Sequence, residues 1–472
     1  MIPSAPPGPR LLGPLLAELR AARGWSQQRF AAELCAASGV PTLTRHEVSR
    51  WERQLRLPGD FWSAWLATVL GVPGALIAEA TARSRRLGAA PAEVGPAGSR
   101  ARLALLTLAY RWAADPTGGT LAGPLADPAA GGSSPADRSA SAGGLPVAPA
   151  APDDPPGETG LATLRRWDDL LGGADLAGYG ARRLRRAVRG HRVAGPADRR
   201  RLLPELAGSA QLAGWLAADA GDVTGGLVAY RLALRAALAA GDRPLAGHVL
   251  GSASHLLAGS GDPAGALTLA RIGYAAGRDG ASAGLRALLL HRVALAAALA
   301  GRRRAAGRAL AGAARAGTPD PGREPPWLYW LDDVELAAMT GRTLVALGRP
   351  EPAVALLAPV VADSRGRPRR AAVYGAWLAR AHLRLDAVPE ACAVAGAALL
   401  DAVRSGSPRA VGQLAEVRRG LAGPASRRCP ELLAAVRPYL PVPAVVRLEP
   451  TRARRVRAAR RGGDGAGPAG TD

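Results

Sequence analysis

Glycine-led corners recur every forty residues through an alanine- and leucine-rich stretch, and this period restricts the fold more than any other feature. Gly221-Asp222, Gly261-Asp262 and Gly301-Arg302 are spaced forty apart, and Gly348-Arg349 and Leu385-Asp386 continue the series less regularly. Five positions on stands a small residue: Gly226, Ala266, Ala306, Ala353 and, counted from Asp386, Ala391. Small side chains let two helices approach closely, so each corner predicts a helical hairpin. A hairpin buries its apolar face only against its neighbours, and several in series predict a stacked array over residues 161–441. An irregular all-α domain is the alternative.

Near the N-terminus, residues 25–53 read as two short capped helices. Ser26 can accept from an unpaired backbone N–H of the first, with Trp25 and Phe30 placed as a hydrophobic staple. Thr44 and Glu47 stand as a capping box for the second, and Leu43 with Val48 as its staple. Phe30, Leu34, Val48 and Trp51 are expected to face inward. Residues three and four apart share a helix face, so Arg45, His46, Ser49 and Arg50 form one polar face opposite Val48 and Trp51. An arginine on such a face can donate two hydrogen bonds to guanine O6 and N7 in the major groove. A solvated charge is the plainer reading of Arg50, and the caps and basic face occurring together favour DNA. Trp62, Trp65, Leu66, Val69 and Leu70 follow helical spacing and read as core rather than as stacking platforms for bases.

These residues make positions 11–72 resemble the Cro/C1-type (XRE) DNA-binding domain, with Ser26-Gln27, Phe30-Ala31, Val48-Ser49, Trp51-Glu52 and Pro58 at the family's characteristic places. The resemblance implies a five-helix, lambda-repressor-like head over residues 11–86. It places Arg45, His46, Ser49 and Arg50 against base edges, and Gln27, Gln28, Thr44, Arg53 and Arg56 against the phosphate backbone. The connection 35–42 is longer than the family's usual tight turn. Further along, Gly214, Gly221, Gly226, Tyr230 and Ala233 resemble a tetratricopeptide repeat, with a longer period than the standard one. A Cro/C1-type head joined to such repeats resembles the plan of peptide-sensing regulators.

The 472 residues suffice for two or three domains, and the net charge of +23 points to a polyanionic partner. All 61 basic residues are arginine, and the chain has no lysine and no asparagine. Both missing residues have AT-rich codons, so a GC-rich, actinobacterial type of genome accounts for part of the arginine excess. The missing lysine excludes a standard P-loop, a pyridoxal Schiff base and a protein kinase. Three distant cysteines and six scattered histidines show no metal-ligand spacing, so no metal, cofactor or catalytic site is expected.

Residues 1–10 are rich in proline and expected to be a disordered leader. Residues 87–160, rich in Pro, Gly, Ala, Ser and Asp, are expected to be a flexible linker with one helix at 100–114. Residues 442–472 are expected to be a basic disordered tail. No apolar stretch is long enough for a membrane span or a signal core, which predicts a cytoplasmic, nucleoid-associated protein. The arginine runs at 182–189, 199–201 and 452–461 read equally well as solvated surface and as phosphate contacts. The expected function is a transcriptional regulator acting as a homodimer on double-stranded DNA. Its repeat domain would sense a peptide or small ligand, or assemble the protein. A scaffold whose head serves only as a tether is the alternative.

Overall fold

The computed structural model describes residues 11–87, 95–115, 160–364 and 367–421. The expected leader, most of the expected linker and the tail lie outside these residues. Every regular element described is helical.

Five short helices build the N-terminal unit: α1 (Leu12–Ala22), α2 (Gln27–Ser38), α3 (Arg45–Glu52), α4 (Asp60–Leu70) and α5 (Gly74–Leu87). Phe30, Leu34, Val48, Trp51, Leu66 and Leu70 pack with Leu12 and Leu16 into one core. Trp62 and Trp65 pack against it, half-buried.

Fourteen helices follow among the described residues. α6 (Pro96–Ala114) is succeeded by α7 (Leu161–Leu170), α8 (Gly173–Val193), α9 (Pro196–Asp219) and α10 (Val223–Ala239). Then come α11 (Arg243–Gly259), α12 (Pro263–Gly277), α13 (Ala283–Leu299) and α14 (Arg303–Arg315). The last are α15 (Asp333–Ala346), α16 (Pro350–Asp363), α17 (Pro368–Arg384) and α18 (Val388–Ser405), and the fourteenth, α19 (Pro408–Leu421), closes the chain described. The five corners of the sequence pattern fall inside the hairpins α9–α10, α11–α12, α13–α14, α15–α16 and α17–α18.

The four glycine-led corners share one backbone design, and at the fifth Asp386 takes the left-handed φ, +56°. The glycine takes a left-handed φ, +86° at Gly221 and Gly261 and +72° at Gly301, which side chains with a Cβ rarely adopt. The next backbone N–H then closes a six-residue loop, Asp222 onto the Ala217 carbonyl and Asp262 onto Leu257. Asp222 and Asp262 at once cap the following helix, accepting from Gly225 and Gly265 N–H at 2.8 and 2.9 Å. The small residue five positions on is buried in every hairpin, with Ala266, Ala306, Ala353 and Ala391 fully so. The break in the period between Gly301 and Gly348 is an insertion before α15 that carries a short 3-10 turn, Pro326–Leu328.

Two features depart from an open array with a free linker. α6 lies on α10 and α12, with Leu105, Ala109 and Trp112 fully buried in the array's core and Arg102 paired to Asp262 at 2.6 Å. The helix expected at 100–114 is therefore part of the repeat body. The array also closes on itself. α19 returns to α9, where Asp219 accepts from Ser407 Oγ at 2.8 Å and Arg409 Nε at 3.0 Å. The Gly172 and Ala174 N–H groups meet the carbonyls of Ser405 and Gly406 beside that seam. α7 crosses the interior, touching both α9 and α17. The N-terminal unit sits at the same seam, with α5 against α8 and α19 and Leu11 buried among the side chains of α17 to α19.

Candidate functional site

α3 is held from three sides. Thr44 Oγ1 accepts from the Glu47 N–H at 3.4 Å, and Ser26 Oγ does the same for Arg29 on α2 at 3.1 Å. The Trp25 and Phe30 rings stand 6.1 Å apart, as a staple requires. From below, the buried Glu52 carboxylate takes Arg20 Nε at 2.5 Å and Gln27 Nε2 at 2.7 Å, tying α1, α2 and α3 together. The expected long connection is shorter than the sequence suggested. α2 runs on through Ser38, and only residues 39–44 separate it from α3 after a left-handed Gly39.

The expected DNA-facing residues occupy one side of the N-terminal unit. Arg45, His46, Arg50, Gln28, Thr44, Arg53 and Arg56 are exposed, and Ser49 is half-buried. Gln27 is half-buried, and its Nε2 donates to Glu52, which positions α2 beneath α3. The Glu47 carboxylate reaches Arg50 Nη1 at 2.7 Å and Arg56 Nη1 at 3.4 Å, fixing two guanidinium groups on the outer face. Arg53 Nε turns back to the Ser49 carbonyl at 3.2 Å.

A second candidate lies inside the closed array. Its cavity is lined by side chains of α7, the inner helices α9, α11, α13, α15, α17 and α19, and the insertion with Trp327 and Tyr329. Seven arginines line it against three carboxylates. Those carboxylates already hold partners, with Asp168 Oδ1 alone left over among their buried oxygens. Asp168 accepts from Arg369 at 2.7 Å and Trp215 Nε1 at 2.9 Å, and its carboxyl is pushed up to about 6 by burial. Asp169 accepts from the Tyr329 hydroxyl at 2.9 Å, and Glu335 pairs with Arg370 at 3.4 Å and takes the Tyr374 hydroxyl. Burial drives His248 and His291 down to about 3 and His255 well below its ordinary value, so all three rings are neutral near pH 7.

A ligand-sensing repeat domain was expected from the sequence, but not which residues line this cavity. Its residues come from eight segments spread over more than two hundred positions, each of which looked like an isolated polar interruption of an apolar helix. The break in the forty-residue period was the one available clue, because the insertion there supplies Trp327 and Tyr329. No known protein family, curated protein or solved structure matches the chain.

Proposed function

We propose that this chain is a sequence-specific DNA-binding transcriptional regulator, with α3 as the recognition helix and the closed helical array as its sensing or assembly body. One observation carries the reading: Arg45, His46 and Arg50 share the exposed face of a helix capped by Thr44 and locked underneath by Glu52. A rigid helix with exposed arginines on its outer face is what base readout in a major groove requires. Arg53 and Arg56 flank it and would meet phosphates. One helix this short reads too few base pairs to find a site alone, so two copies on an inverted repeat are proposed.

Selection of bound genomic fragments by the full chain, followed by footprinting, tests this reading. A discrete protected site whose preference relaxes at one base pair in Arg50→Ala supports it. Equal loss on specific and random DNA removes the base contact. No protected site at all leaves the scaffold reading.

A further inference from the structure

We propose that the interior cavity of the array is a binding site for a small multiply charged anion, held chiefly by Arg292 and Arg342. The geometry is that of buried guanidinium groups whose neighbours do not neutralise them. Arg342 is 3% exposed, and its Nε and one Nη have no hydrogen-bond partner. Those two N–H groups form the edge of the guanidinium that matches a pair of phosphoryl or carboxylate oxygens. Arg292, 5% exposed, sits on the next inner helix. Burial and then the Arg342 charge push Arg292 down to about 9, so the two buried guanidinium groups repel one another. Arg165 on α7 is driven down to about 10, again by burial.

The carboxylates nearby leave this charge uncompensated. Asp168, Asp169 and Glu335 serve Arg369, Tyr329, Arg370 and Tyr374, and Asp219 behind them serves Arg409. With seven arginines against these four acids and Asp332, which reaches Arg370 at 4.0 Å, an excess of about two positive charges remains. A lone monocarboxylate would leave half of it. A dianion or trianion removes it, whether phosphoryl or oligocarboxylate.

The faces of the aromatic rings do not compete for the ligand. Trp215 is covered by stacked His255 on one side and by Arg409 4.7 Å from its centroid, and Trp327 stacks on His248 at 4.4 Å. These rings hold the walls rigid and leave recognition to the guanidinium groups.

The test uses the full chain and three probes at matched ionic strength: pyrophosphate, citrate and acetate. Thermal unfolding and calorimetry are read for the natural chain, Arg342→Met, Arg292→Met and the surface control Arg304→Ala. At a hundredfold excess over Kd, pyrophosphate or citrate should raise Tm by a few degrees with one site per chain. Acetate should not. Which polyanion binds more tightly assigns the phosphoryl or the oligocarboxylate class. Either cavity variant should weaken binding by roughly tenfold or more. Each should also raise the Tm of the unliganded chain, because a buried charge without a partner has been removed. The expected signature is a more stable protein that no longer responds. Undiminished binding in both cavity variants, binding lost in Arg304→Ala, or no response to any polyanion overturns the proposal. The outcome is independent of whether the chain binds DNA. Loss of ligand response with an intact footprint refutes only this site, and a normal response without a footprint refutes only the regulator reading.

Discussion

Glu47 controls how the candidate DNA face is presented, because its carboxylate pins both Arg50 and Arg56. Both pairs are exposed and contribute little to stability. Their effect falls on binding, since a guanidinium held by an acid must leave it to reach a base or a phosphate. Glu47→Ala is expected to tighten binding to all DNA sequences and to steepen the logarithmic salt dependence by about one, as titrations at several salt concentrations would reveal. An unchanged slope would mean that this face does not meet phosphates. Inside the array, the three neutral histidines make stability fall with acid. Their folded pKa values lie below the unfolded 6.5, so their contribution is complete above pH 6.5 and shrinks as pH drops toward 3. The buried guanidinium groups of Arg292, Arg342, Arg165 and Arg409 face these rings and oppose protonation alongside burial. Asp168, raised to about 6, works the other way between pH 6 and 4 and offsets part of one histidine. Between pH 7 and 5.5 the net loss should be about 2–3 kcal/mol, measurable by denaturant unfolding at each pH. His248→Gln should flatten the curve.

At the scale of helices, close approach is the commodity that glycine and alanine supply. α11 and α12 cross where a Cβ on Gly247 would stand 2.8 Å from the Gly273 carbonyl oxygen and 3.1 Å from Gly277 Cα. Backbone cannot swing aside as a side chain can, so Gly247→Ala should cost about 2 kcal/mol. Gly307, inside α14 with open space around it, is the matched opposite, and Gly307→Ala should stabilise by about 0.5–1 kcal/mol. A pair of urea titrations checks both signs. This contrast also shows what the sequence could convey. The corners and the small residues after them were legible, because Gly221, Gly261 and Gly301 need a left-handed φ and Ala266, Ala306 and Ala353 need burial. The caps Ser26 and Thr44 were legible for the same local reason. The Gly247–Gly273 crossing was not, since a glycine in a helix gives no hint of whether another backbone lies against it. The packing of α6 was hidden in the same way: Leu105 and Trp112 announce an apolar face without naming what covers it. The bond from Gln27 to Glu52 was hidden too, because the two lie twenty-five residues apart.

At the scale of the whole molecule, closure of the array joins everything described so far, and Asp219 is its clasp. Its side chain is fully buried and accepts from Gly173 N–H at 2.7 Å, from Ser407 Oγ and from Arg409, so α8, α9 and α19 meet on one carboxylate. Burial alone would raise its pKa, and Arg409 and Arg369 overcome this and hold it below the usual carboxylate value. The candidate head rests on the same seam through α5 and Leu11. If the anion proposed at Arg292 and Arg342 acts on the head, this seam is the route that the contacts offer. A ligand alters DNA binding only by binding one arrangement better than the other. Asp219→Ala should cost about 3–5 kcal/mol by leaving Arg409 without its partner. It should also open the seam, so that amide exchange in α19 and α5 rises together. Operator affinity in this variant should no longer respond to pyrophosphate or citrate, while its salt dependence stays that of the natural chain. Protection lost from α19 alone, with α5 unchanged, would separate the head from the seam and leave the array without a route to the candidate DNA face.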